Sequence, residues 1–319
     1  MQMQIVDFKA AHIEQAAQIA KQNYENERGH VPALPPIDTV PDLTLYVENG
    51  LGVAAFVGNM MIGFLCTGEP FKKVFRSTDA VGIFSPMGAN GAVGENRANI
   101  YAYMYQAAGG KWARAGASSH AVCLYAHDAE AQAQFFRYGF GLRCLDAIRE
   151  MEDIAAPQCD GYDFYELAAD EALDVLPLEN MLHRSFLESP FFLFRAEHSE
   201  TEWMEYWNRC HPICFAVKYE NQNIAFILAE IDGENFIRDT EGYIHISGLF
   251  CLPEHRGKGI SQKLLNLLVQ KLRADGYMRL GVDFESINPS GFGFWSKYFT
   301  AYTHSVVRRI DEYSFFCVR

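Results

Sequence analysis

The chain has 319 residues, 49% of them hydrophobic and 14% aromatic, with 12 prolines and a formal net charge of −13. That composition excludes a disordered chain and gives room for two domains of ordinary size. It also argues against nucleic acid as a partner, since duplex binding needs clustered lysine and arginine; the acidic surplus reads first as solvated surface and only weakly as a preference for amine-bearing substrates.

In chain order, "IVDF" predicts a strand and "AAHIEQAAQIAKQNYENE" an amphipathic helix, with no basic and apolar leader before them. The run "LGVAAFVGNMMIGFLC", interrupted at Gly58 and Asn59, reads as a hairpin and not a bilayer span, so no membrane partner is expected. "AVGIFSPMGANGAVGENRANIYAYMYQAA" predicts strand, glycine-rich loop and helix, and "HAVCLYAHDAEAQAQFFRYGF" a further strand and helix. Breakers in "EDIAAPQCDG" mark a boundary. Beyond it "YDFYEL" and "DEALDVLPLENMLHRSF" repeat strand and helix, and "ICFAVKYENQNIAFILAEI" repeats the hairpin. "HISGLFCLPEHRGKGISQKLLNLLVQKLRA" and "LGVDFESINPSGFGFWSKYF" then repeat the remaining elements. Cys123 and Asp283, like Phe135 and Trp295, stand 160 residues apart, which argues for a duplicated unit. The expected architecture is α+β, in two tandem domains over residues 1–155 and 160–319, each a mixed, mostly antiparallel sheet flanked by helices.

Eight cysteines, Cys66, Cys123, Cys144, Cys159, Cys210, Cys214, Cys251 and Cys317, include no CxxC pair, the usage of a reducing, cytoplasmic compartment. Cys210, His211 and Cys214 in "RCHPIC" lack a second ligand pair, and no metal is expected.

Two glycines before a fresh helix N-terminus in "CLPEHRGKGIS" suit the approach of phosphate to bare backbone N–H groups. The stretch resembles motif A of the GNAT superfamily of N-acetyltransferases, with Arg256, Gly259 and Ser261 at the patterned positions. Ser261 departs from the usual small apolar residue. The resemblance covers residues from about 160 to the end, and the two-domain layout is similar to tandem GNAT proteins such as mycothiol synthase. It implies acetyl-CoA as cosubstrate. The amides of Arg256, Gly257, Lys258, Gly259, Ile260 and Ser261 would hold the pyrophosphate, the strand Leu249, Phe250 and Cys251 would pair with the pantetheine arm, and Asn288 would touch the cofactor.

Where the family often has a tyrosine acid this chain has Trp295, and Tyr298, one helical turn on, is the candidate replacement, with ordinary packing equally open. Asp283 is the candidate base, with His245, Glu241 and Glu285 as rivals; His245 reads slightly more readily as a hydrogen-bonded structural histidine. The aromatic run "SPFFLFR" would line the acceptor side or pack between helices. The first half keeps Gly88, Gly91 and Gly94 but has no arginine opening the turn, and it carries Phe135 and Cys123 at the chemical positions. It is therefore expected to be a degenerate domain. The implied function is acetyl transfer to a primary amine of a small molecule or peptide; the alternative is a non-catalytic acyl-CoA sensor.

Overall fold

The computed structural model describes residues 2–74, 80–233 and 235–316, so Cys317 lies outside the described residues. The elements, in order, are β1 (Met3–Asp7), α1 (Ile13–His30), β2 (Val53–Val57), β3 (Met60–Leu65), β4 (Gly82–Ser85), β5 (Asn90–Ala92), α2 (Arg97–Arg114), β6 (Ser119–Tyr125), α3 (Ala129–Arg137) and β7 (Gly141–Glu150). They continue with β8 (Asp163–Glu166), α4 (Leu176–Ser185), α5 (Glu200–Cys210), β9 (Ile213–Tyr219), β10 (Gln222–Glu230), β11 (Tyr243–Cys251), α6 (Ile260–Ala274), β12 (Arg279–Glu285), α7 (Pro289–Tyr298), β13 (Thr300–Ala301) and β14 (Thr303–Arg309).

Two compact units result. The first comprises Met1–Asp146 together with Thr300–Arg319, the second Ala147–Phe299. The sequence places all of residues 160–319 in one expected domain; in the structure β14 belongs instead to the first unit, where it pairs antiparallel with both β6 and β7. Val306 explains the placement: fully buried, it belongs to the same apolar cluster as Trp112, Val122 and Phe135.

In the first unit β1, β2, β3 and β5 form an antiparallel sheet, while β4 runs parallel to β6. The β2–β3 hairpin turns at Gly58, whose φ of 62° only glycine adopts without strain. In the second unit β8, β9, β10 and β11 pair antiparallel, and β11 pairs parallel with β12. The β9–β10 turn, Glu220 and Asn221, has positive φ at both residues, the twist-matched geometry of a two-residue hairpin.

On one face of this sheet α4 and α5 enclose Leu176, Trp203, Trp207, Phe226 and Phe250. Helix α6 follows from its apolar spacing: Leu264, Leu265, Leu268 and Leu272 are completely buried, each worth about 2 kcal/mol of transfer free energy. It stops where Gly276, at φ 93°, turns the chain out of the helix. No helix among the described residues is long and apolar enough to cross a membrane.

Candidate active site

Two irregularities of β11 build the site. Its parallel pairing with β12 runs from Tyr243–Arg279 to Ile246–Val282, whereas β11 itself continues to Cys251 and β12 to Glu285. The strands thus part just after Ile246. At the same point the register with β10 slips, Leu228 facing Gly248 and Ala229 facing Ile246, so that Ser247 is the extra residue of a β-bulge.

Past the bulge, alternate main-chain groups of β11 point away from β10. Cys251 is one of these, because its carbonyl accepts from Arg256 Nε at 2.9 Å; by the same alternation Leu249 presents its N–H and C=O to that side. Beyond the strand, Gly257 (φ 75°) and Gly259 (φ 80°) lead into α6, whose N-terminus has no side-chain cap. The first N–H groups of any helix lack intrahelical partners, so a set of unsatisfied donors with the helix dipole behind them faces outward here.

Strand, turn and α7 enclose a cleft of about 570 Å³. Of the cofactor-binding residues expected from the sequence, Leu249, Phe250, Cys251, Arg256, Gly257, Gly259, Ile260, Ser261 and Asn288 line it; Lys258 does not, and its ammonium donates to the Tyr162 hydroxyl at 3.2 Å. Asn288 is also the N-cap of α7, its side-chain oxygen accepting from Gly291 N at 2.8 Å. Burial pushes the Cys251 thiol up to about 11, which keeps it protonated and unsuited to act as a nucleophile at neutral pH.

Gly259 answers to a different neighbour from the one the sequence suggested. A Cβ there would lie 2.2 Å from Pro157 Cγ, so the residue makes room for the segment that crosses the turn as well as for a ligand. That segment is tied to α6: Asn266 accepts from Ile154 N at 2.8 Å, and Gln262 donates to the Ala155 carbonyl. A bulky residue at Gly259 would unseat it and would not report cleanly on phosphate.

The three expected catalytic residues fall into two groups. Tyr298 ends α7, packs on Phe294 with ring centroids 5.1 Å apart, and lines the cleft beside Trp295. His245 and Asp283 are not among the lining residues; they meet one another, with His245 Nε2 2.9 Å from Asp283 Oδ1. Asp283 stands one residue beyond the last β11–β12 pair, where the strands diverge. His245 is buried and its Nδ1 lies 2.8 Å from the Tyr243 hydroxyl.

A carboxylate only accepts, so Nε2 carries a proton and donates to Asp283, while Nδ1 shares a hydrogen bond with the phenol. Burial alone would raise the Asp283 carboxyl, but the hydrogen bond and charge of His245, with Arg195 adding to them, hold it below the ordinary carboxylate value. Of the rivals, Glu285 lies 3.9 Å from Arg195 in an ion pair.

Sequence reasoning missed Tyr243. Its signal was Gly281, in mid-strand: a Cβ there would sit 1.9 Å from the Tyr243 hydroxyl, so glycine alone lets the phenol reach His245. In the aromatic run Phe191 lines the cleft, Arg195 stacks over Phe186 at 4.2 Å, and Phe192 and Phe194 are exposed.

Residues 179–298, which span this cleft, match the Acetyltransferase (GNAT) family model. A GCN5-related N-acetyltransferase from Sphaerobacter thermophilus superposes with a TM-score of 0.57 at 9% identity, covering 96% of this chain and 95% of that one. The fold is that of the GNAT acetyltransferases. A GCN5-related glucosamine N-acetyltransferase region in a fungal multi-domain GH3 β-N-acetylglucosaminidase is similar at a TM-score of 0.52 and 11% identity, over 96% of this chain and 38% of that one. No curated sequence matches.

The corresponding region of the first unit is built differently. Its strand is divided, β4 pairing with β6 and β5 with β3. Gly91 is a buried strand residue whose Cβ would meet Ile19 at 2.9 Å, so it offers nothing to a phosphate. Arg97, the first residue of α2, lies back along this region: it donates to the Ala92 carbonyl, to Asn23 Oδ1 at 2.9 Å and to Asp128, the N-cap of α3. Phe135 and Cys123 are both buried.

Proposed function

We propose that the second unit is an acetyl-CoA-dependent N-acyltransferase that acylates a primary amine of a small molecule or peptide. The observation that carries this is the uncapped N-terminus of α6 opening onto a cleft whose other wall is the end of β11, past its last pair with β12. Acetyl-CoA held there would supply an activated acyl thioester. The amides from Gly257 to Ser261 bind the diphosphate, and the main chain of Leu249 orients the pantetheine arm by strand-like hydrogen bonds.

On the acceptor side Asp283, at the vertex of the parting strands, binds the incoming amine and takes the proton that its nitrogen sheds as the N–C bond forms and that proton becomes acidic, while His245 holds the carboxylate in place. Tyr298 returns a proton to the thiolate at the cleft end of α7. The protonated Cys251 favours direct transfer over an acyl-cysteine intermediate.

The two units share the order strand, helix, hairpin, strand, helix, strand, helix apart from an added helix in the second and a divided strand in the first, and Asp128 and Asn288, 160 residues apart, both cap the helix after their strand. This supports a duplicated, tandem origin. Arg97, the cation at the start of α2, is already committed to the Ala92 carbonyl and the Asp128 carboxylate, which supports a first unit that binds no CoA.

Calorimetric titration tests both halves of the proposal. One equivalent of CoA per chain is expected. Ser261→Glu, which puts a carboxylate at the helix N-terminus beside the diphosphate, should weaken binding on the order of 100-fold, a few kcal/mol of charge repulsion at short range. Unchanged affinity in a folded variant would remove the phosphate assignment. Two equivalents, one of them surviving Ser261→Glu, would make the first unit a second CoA site.

A further inference from the structure

Outside the cleft, Glu179, His183 and His198 each bring one ligand atom to within 4.8 Å of the others, the one such three-residue grouping among the described residues. We infer that these three side chains form a binding site for a single zinc ion, independent of the acyltransferase reading above.

Glu179 and His183 stand four residues apart on α4, hence on one face of the helix, and both are buried. His183 Nδ1 lies 2.6 Å from the Ala196 carbonyl. A carbonyl oxygen only accepts, so Nδ1 carries a proton, and when the ring is neutral Nε2 presents a lone pair. That lone pair faces Glu179 Oε1 at 3.1 Å. Two acceptors facing each other in a buried site repel unless a cation sits with them.

A shared proton would satisfy this pair alone. A divalent ion uses all three. The 3.1 Å separation is close to the ligand-to-ligand edge of about 3.4 Å in a tetrahedral zinc site with bonds near 2.1 Å. His198 closes onto the same centre by rotation of its side chain.

The surroundings hold the three in position. Asn180 clamps the main chain of His198 from both sides, donating Nδ2 to its carbonyl at 2.9 Å and accepting its N–H on Oδ1 at 2.8 Å. The His198 ring packs on Trp203, 5.7 Å between centroids. The Nδ1–H bond from His183 to a carbonyl is the outer contact that ordinarily fixes the tautomer of a metal-ligating histidine. Two imidazoles and one carboxylate suit zinc and similar late first-row ions better than magnesium or calcium, and three protein ligands leave the fourth position to water. Zinc here would join α4 to the segment before α5.

The test is a titration of Zn²⁺ into the metal-stripped full-length chain against a chromophoric chelator, with thermal melting in parallel. One equivalent should bind, and excess Zn²⁺ should raise the melting temperature. Glu179→Gln and His198→Ala should each weaken binding by about 10- to 100-fold and remove the zinc-dependent rise. Co²⁺ in place of Zn²⁺ on the unmodified protein should give the visible absorption of a four-coordinate site, a readout that needs no variant. Absence of binding at about 100 μM Zn²⁺ by a chain that still melts cooperatively would overturn the site and leave a protonated His183–Glu179 pair. Binding retained in full by both variants would place the ion elsewhere and equally overturn it.

Discussion

Replacing Asp283 by asparagine should lower kcat/KM for the acceptor amine by about 10²- to 10³-fold while leaving CoA affinity unchanged. The carboxylate stands where β11 and β12 part, outside the cofactor cleft, so its loss removes the proton acceptor without touching the phosphate turn. Asparagine is nearly the same size and its oxygen still accepts from His245 Nε2–H, which preserves the local packing.

A stability signature accompanies the kinetic one. The folded carboxyl titrates below its ordinary value, so Asp283 contributes stability at pH above that value and loses it as pH falls through the folded pKa. The variant should therefore be less stable than the wild type near neutrality, and the difference should shrink on acidification below the ordinary carboxylate range. If Asp283 served stability alone, the melting difference would appear with kcat/KM intact, and that result would return the base assignment to its rivals.

Changing Tyr298 to phenylalanine should cut kcat by on the order of 100-fold, with KM for acetyl-CoA nearly unaffected. The phenyl ring keeps its contact with Phe294, and no polar group of the cofactor turn is altered. The loss would therefore fall on the step in which the departing thiolate is protonated. Steady-state kinetics with one competent amine decides it. A kcat within twofold of wild type would mean that solvent or the acceptor itself provides that proton.

Much of this protein is legible along the chain because the relevant physics is local. Alternating apolar residues separated by Glu220 and Asn221 specify a hairpin. The leucines of α6 specify which face is buried. Gly257 and Gly259 ahead of an uncapped helix specify a tight turn with outward-facing N–H groups, because their positive φ angles and the orphan donors involve only neighbouring residues. The same locality made the repeat visible, with Cys123 and Phe135 each 160 residues before its counterpart.

Only the tertiary structure decided the rest, since it depends on groups far apart in the chain. That β14 belongs to the first unit rests on Val306 finding the cluster around Trp112 and Phe135, and any apolar alternating strand would have looked the same in sequence. The reason Gly259 cannot be enlarged is Pro157, about a hundred residues earlier. Arg97, unremarkable in its own segment, acquires its role from Ala92 and Asp128. The joining of His245 to Asp283, and of Glu179 and His183 to His198, requires that strands pair in one register and that α4 dock in one orientation. Residue identity sets what chemistry each side chain can do; which partner it does it with is set by packing, whose free energy is summed over the whole core.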